Sequence, residues 1–149
     1  MNAKRKIFII NGPNLDMLGV REPEIYGKTT LADIKAQTEQ EAKKLGYEIA
    51  FSQHNGEGEI VDELHKAYNE AAAVVVNAGA YTHYSYAIAD AVKMLSCPVV
   101  ELHLSNVFAR EDFRHGSVIS PYASAVLCGA GAYGYVLAMR IAAQKVQNG

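Results

Sequence analysis

Two short, uninterrupted apolar runs, Ile7 to Ile10 and Ala73 to Val76, constrain this chain more than any other feature. A strand with one solvated face alternates apolar and polar residues, whereas a continuous run of this length suits a strand covered on both faces, as in a parallel sheet. The surrounding pattern agrees. Strands are expected at Lys6 to Ile10, Tyr47 to Ser52, Ala73 to Asn77, Pro98 to His103 and Ala125 to Cys128. Between them, apolar residues recur at helical spacing: Leu31, Ile34, Ala42 and Leu45 in one segment, Ile60, Val61, Leu64 and Tyr68 in the next. The first helix starts at Thr30, where Thr30 and Asp33 approximate a capping box, and stops at Gly46. Helices are expected over Glu59 to Glu70, Tyr84 to Leu95 and Ala132 to Val146. Five strands alternating with helices predict an α/β, doubly wound, five-stranded parallel sheet with helices on both faces, in one domain covering residues 1–149.

The first strand is followed by a long connection, Asn11 to Gly27, reading NGPNLDMLGVREPEIYG. Connections beyond about a dozen residues within a domain are uncommon and usually serve as lids or binding loops. This one carries Asn14, Arg21 and Tyr26, and residues 12–28 are read as an active-site lid. A formal net charge of -2 and the absence of a basic run beyond Lys4, Arg5 and Lys6 argue against nucleic acid as a partner. No apolar stretch approaches the roughly 18 residues of a membrane span, and the N-terminus lacks a signal-peptide pattern, so a cytoplasmic protein is expected. Cys97 and Cys128 lie far apart in apolar surroundings and read as buried free thiols.

A doubly wound sheet of flavodoxin-like type binds its ligands beyond the carboxyl ends of its strands. The residues placed there are Asn11 and Asn14; Gln53, His54 and Asn55; Asn77, Tyr81 and His83; then Glu101, His103, Ser105 and Asn106, followed by Arg110 and Arg114. Any one of these is ordinary loop polarity. Four consecutive connections opening on amide, imidazole or carboxylate side chains point instead to one shared site. No His pair has zincin spacing, so no metal is expected.

The opening NGPNL...LG.REP..YG, the N.EGE turn, the N.GA.TH segment and the E.H.SN...RE.FR segment occur in that order over almost the full length. Together they resemble the type II 3-dehydroquinate dehydratases. The resemblance implies a flavodoxin-like, cofactor-independent hydro-lyase that converts 3-dehydroquinate to 3-dehydroshikimate in the shikimate pathway, assembled as a dodecamer built from trimers. It implies Tyr26 as the base, with Arg21 on the same loop. A free tyrosine titrates near pH 10, and a nearby guanidinium favours the phenolate. It implies Asn14 as the holder of a water at the developing enolate oxygen, and His103 as the acid for the departing hydroxyl, oriented by Glu101. Ser105 and the backbone of Leu104 would take the substrate carboxylate, Asn77, His83 and Arg114 the ring hydroxyls, and Asp90 a neighbouring subunit's site.

On the residues alone, Glu101 has a second reading as an ion-pair partner of Arg110 or Arg114. His65 and His115 read as structural or solvated. Gly129, Gly131 and Gly134 spell a G-x-G-x-x-G, but after the last strand and with no acidic residue downstream, so the glycines are read as packing devices and no nicotinamide cofactor is expected. A flavin carrier would show a Ser/Thr/Gly phosphate loop after strand one, and a phosphoacceptor domain an acidic cluster where Asn11 and Asn77 stand. A flavodoxin-like small-molecule-binding protein without catalysis is the other class. The chain departs from the family pattern at Ala78, where proline is usual, at His54 and Gly56 around N.EGE, and at Tyr84, Tyr86 and Ala89.

Overall fold

The computed structural model describes residues 4–149, with Tyr26 described through its backbone only. Strands β1 (Lys6–Asn11), β2 (Glu48–Gln53), β3 (Ala71–Asn77), β4 (Val99–His103) and β5 (Ala125–Cys128) form one sheet in the order 2-1-3-4-5. Every neighbouring pair is parallel, which is the flavodoxin-like winding expected above. The apolar runs of β1 and β3 are divided between two cores by the two-residue period of a strand. Ile7, Ile9, Ala73 and Val75 pack on one side with Ile34, Leu102 and Met139. Phe8, Ile10, Val74 and Val76 pack on the other with Ile60, Leu64 and Ile88. Fully burying each large aliphatic side chain stabilises the fold by roughly 1.5–3 kcal/mol, so a polar residue anywhere in either run would disrupt one core or the other.

The helices follow their capping residues. A single turn, α1 (Pro23–Tyr26), lies within the long connection. In α2 (Leu31–Leu45) the box is complete: Asp33 N–H donates to Thr30 Oγ1 at 3.1 Å, Thr30 N–H donates to Asp33 Oδ2 at 3.0 Å, and Gly46 closes the helix at φ 84°. Helix α3 (Glu57–Glu70) begins two residues earlier than the apolar spacing indicates, because Gly56 caps it and Glu57 and Glu59 sit favourably in its positive first turn. It runs directly into β3, which starts at Ala71 rather than Ala73. Alanine carries little strand preference; pairing to β1 recruits Ala71 opposite Lys6, and the register shift before Ile7↔Ala73 leaves Ala72 as an extra residue. Helix α4 (Tyr86–Lys93) is shorter than Tyr84 to Leu95, since Ser85 Oγ accepts from Ile88 N–H and the preceding Gly79–His83 segment winds as a 3-10 turn. Helix α5 (Tyr133–Asn148) extends two residues beyond Val146. α2 and α5 cover one face of the sheet, α3 and α4 the other.

Cys97 and Cys128 are both free and half-buried, less enclosed than expected. Among the described residues no helix is long and apolar enough to cross a membrane.

The carboxyl ends of β1 and β3 approach unusually closely. Gly12 N–H donates to the Asn77 carbonyl at 2.7 Å, and a Cβ on Gly12 would stand 2.5 Å from the carbonyl oxygen of Ala78 and 2.6 Å from its carbon. Those are backbone atoms and cannot rotate away. Gly12→Ala is therefore expected to destabilise the fold by about 1–3 kcal/mol or more, seen as a lower urea midpoint at unchanged m-value; an unaltered midpoint would show that the two strand ends are free to part.

Candidate active site

A cleft of about 220 Å³ opens over the carboxyl ends of β1, β3 and β4, at the point where the strand order reverses. Of the residues selected from sequence, Asn14, Arg21, Asn77, His83, His103, Leu104, Ser105 and Arg114 line it. Glu101 is buried behind His103. Asp90 lies exposed on α4, away from this chain's own cleft. The Tyr26 side chain lies outside the described residues.

Glu101 and His103 face the same side of β4, two residues apart. His103 Nε2 stands 2.6 Å from Glu101 Oε2. The other carboxylate oxygen accepts from Ser117 Oγ at 3.1 Å and Ser120 Oγ at 2.7 Å. Burial pushes the Glu101 carboxyl up, but hydrogen bonds from His103 and Ser120, the imidazole's charge and the Ser117 hydroxyl outweigh it, holding Glu101 below the usual carboxylate range. An ionised carboxylate only accepts, so Nε2 carries the ring's N–H and the tautomer follows from the network. Nδ1 makes no hydrogen bond among the described residues and is the nitrogen left for a ligand. Neither arginine pairs with Glu101: Arg114 Nε lies 3.0 Å and Arg110 Nε 3.7 Å from Glu111 Oε1. The His83 ring lies parallel to His103 with centroids 6.4 Å apart. Its Nδ1, 2.7 Å from the Gly116 carbonyl, must be the protonated nitrogen.

The long connection divides into two parts. Its root is anchored: Leu15 and Leu18 are buried in the core, and Asn14, in left-handed backbone at φ 69°, donates its N–H to Asn55 Oδ1 at 3.1 Å. Gln53 Nε2 reaches both Asn55 Oδ1 and the Gly12 carbonyl, and Tyr81 Oη donates to the Asn55 carbonyl at 2.9 Å. Asn55 thus ties the β2–α3 turn to the loop and to the segment after β3. From Val20 to Ile25 the loop is exposed, with Val20 and Ile25 facing solvent and Glu22 at φ 42°. Arg21 reaches the cleft, with its guanidinium 3.6 Å from Glu22 Oε2.

Arg110, which the sequence places on this rim without a role, lines the cleft and donates from Nη1 to Ser105 Oγ at 3.3 Å. One contribution was not legible as a site residue. Tyr135 of α5 is fully buried under the cleft floor, bonded to Asn11 and Asn77, 124 and 58 residues away in sequence. Arg21, Arg110 and Arg114 line the cleft, and no Asp or Glu does so among the described residues. The local field therefore favours an anionic ligand. Among the described residues no group of three or more His, Cys, Asp or Glu is arranged to hold a metal ion.

The glycine triplet has a different use from a dinucleotide fingerprint. Gly129 and Gly131, at φ 90° and 63°, turn their N–H groups onto the carbonyls of His103 and Leu104. Gly134 admits Leu102, whose Cδ1 lies 3.0 Å from where a Cβ would be. The unusual residues are placed as follows. Ala78 is buried against Gly12; His54 stands between Glu59 and Glu63, at 3.9 and 3.8 Å; Tyr84 and Tyr86 are exposed.

The family described as Dehydroquinase class II matches residues 5–143. The 3-dehydroquinate dehydratase of Pelotomaculum thermopropionicum is 54% identical over 138 residues, covering 93% of this chain and 96% of that one. The type II dehydroquinase structure from Propionibacterium acnes superimposes with a TM-score of 0.91 at 40% identity, covering 97% of this chain and 99% of that one. The structure from Butyrivibrio crossotus gives 0.91 at 42% identity, covering 94% and 98%. Shared motifs, fold and full-length similarity agree, and the chain belongs to the class II dehydroquinase family.

Proposed function

We propose that this protein dehydrates 3-dehydroquinate to 3-dehydroshikimate as a cytoplasmic enzyme of the shikimate pathway. The observation that carries the reading is the Glu101–His103 couple set in a cleft lined by three arginines and by no described carboxylate. An anionic polyol suits that field, and a β-elimination needs an acid on the leaving-group side.

In this reading Tyr26, as phenolate beside Arg21, takes the proton from the carbon next to the ketone, and the electron pair moves to the carbonyl oxygen. Asn14 holds a water against the enolate that forms. Collapse of the enolate re-forms the carbonyl and expels the hydroxyl, which leaves as water with the Nδ1 proton of His103, acting here as the imidazolium protonated on both nitrogens and returning to the neutral Nε2–H form. Glu101 orients the ring and balances the charge of the imidazolium. Ser105, with the backbone of Leu104, takes the carboxylate, and Asn77, His83 and Arg114 take the ring hydroxyls. Asp90, exposed on α4, serves a neighbour's site in a dodecamer of trimers. Residues 12–28 act as the lid: the buried root keeps Asn14 in place while the remainder, carrying Arg21 and Tyr26, closes over the substrate.

The direct test is ultraviolet absorbance of 3-dehydroquinate mixed with purified protein in chelator, without added cofactor. The conjugated enone of the product should appear. Folded protein that gives no enone would make this a binding protein on the same scaffold.

Tyr26→Phe keeps the ring and removes the ionisable oxygen. We expect kcat to fall about 10²–10⁴-fold with KM little changed, the usual size of a lost general base; normal turnover would remove Tyr26 from the mechanism. Acid stability tests the Glu101 network. Because the folded carboxyl is held low, its contribution is complete above the ordinary glutamate pKa of about 4.3 and is lost as pH falls through the lower folded value. Ser120→Ala removes one donor, so the folded pKa rises, the acid-dependent loss becomes smaller and is complete at higher pH, and stability near neutrality drops by about 1–3 kcal/mol. Superimposable Tm-versus-pH curves for the two proteins would count against this role for Ser120.

A further inference from the structure

Beneath the cleft, three side chains from distant parts of the chain form a closed polar group inside the apolar core. Tyr135 Oη lies 2.6 Å from Asn11 Oδ1 and 3.1 Å from Asn77 Nδ2. Tyr135 and Asn11 are fully buried, and Asn77 is 3% exposed where it meets the cleft.

The polarity of this group is dictated by the main chain. Asn11 Nδ2 lies 2.9 Å from the Ser52 carbonyl of β2, which can only accept, so the other end of the amide, facing Tyr135, is the oxygen. Asn77 Oδ1 lies 3.2 Å from the Gly79 N–H, which can only donate, so the end facing Tyr135 is the NH₂ group. The tyrosine must therefore donate to Asn11 and accept from Asn77. Reversing either amide would set donor against donor or acceptor against acceptor, at a cost that burial makes large. Burial also pushes the phenol far above its ordinary titration range, more than the Asn77 hydrogen bond lowers it, so the hydroxyl keeps the proton it must donate.

We propose that Tyr135 is a positioning residue for Asn77: by accepting one N–H of the amide while the Gly79 N–H donates to the amide oxygen, it fixes the amide's sense and leaves the second N–H of Asn77 to donate to a ligand in the cleft. The subsite then favours a ligand oxygen that can accept, a hydroxyl or carbonyl oxygen. A tyrosine on the last helix, contributing nothing to the cleft surface, thereby sets the chemical sense of a contact made at the end of β3. The inference rests on the reading of this cleft as the substrate site.

The test is steady-state kinetics with 3-dehydroquinate on the unsubstituted protein, Tyr135→Phe and Asn77→Asp, with Tm for each. In Tyr135→Phe the amide loses its acceptor and the freedom to turn returns, so KM is expected to rise roughly tenfold while kcat changes less than about threefold, the scale of one misdirected neutral hydrogen bond. A purely structural tyrosine would lower Tm and leave KM within about twofold of the unsubstituted value, which overturns the proposal. Should Tyr135→Phe fail to fold, Asn77→Asp decides, because it retains the tyrosine and the shape but replaces the donor by an acceptor. A KM raised at least as far supports the proposal, and an unchanged KM overturns it. No turnover by the unsubstituted protein would defeat the dehydratase reading, and this inference with it; an altered KM pattern can arise only if that reading holds.

Discussion

The pairing of β1 with β3 is the contact on which the rest of the molecule depends. At this boundary the strand order reverses, so the connections that leave the two strands diverge to opposite faces of the sheet and a crevice opens between them. The register Asn11↔Asn77 brings two amides side by side at the crevice floor, and the Gly12–Asn77 main-chain hydrogen bond continues the pairing one residue past β1. Only a residue without a side chain can stand at Gly12, because the Ala78 backbone occupies the space where a Cβ would be. Two buried apolar clusters, one on either side of the sheet and each fed by both strands, hold that boundary in place.

A second constraint is electrostatic. Glu101 is almost completely withdrawn from water, and a buried carboxylate without partners would become neutral. Both of its oxygens are instead occupied, one by the His103 ring and one by two serine hydroxyls from the segment after residue 115. That arrangement keeps the charge and fixes which imidazole nitrogen faces outward. The charge is screened from the cleft by the ring itself, so the cleft wall presents guanidinium groups and imidazoles while the balancing anion lies behind them. The cationic groups that face the cleft and the carboxylate behind them are thereby separated in space.

The long connection after β1 illustrates how far a pattern in sequence reaches. Its length and its Asn, Arg and Tyr content are the grounds for proposing residues 12–28 as a lid, but the division into a rooted part and an exposed part follows from Leu15 and Leu18 entering the core and from Asn55 reaching across from the β2–α3 turn. Leu15 and Leu18 look like any other loop leucines in the sequence. The shortened α4 has the same origin: Tyr84 and Tyr86 lengthen the apolar pattern, yet Ser85 between them caps the helix and both rings face solvent.

The amino-acid sequence by itself determined the parallel doubly wound sheet, because continuous apolar runs separated by capped helices have few other ways to bury their surface. It also determined which strand ends carry polar side chains, because those residues interrupt the apolar pattern where a core can no longer cover them. Local chemistry was legible for the same reason: Thr30 with Asp33, and Glu101 with His103, are separated by the spacing of one turn or one strand face. What only the tertiary structure decided is what depends on contacts between distant segments. Glu111, not Glu101, receives the arginines; Asn55 staples the loop; Ala71 and Ala72, expected between helix and strand, join the sheet; and Tyr135 joins Asn11 to Asn77 from the far end of the chain. Hydrogen-bond direction and burial are properties of the packed surroundings, and no periodicity within a single segment encodes them.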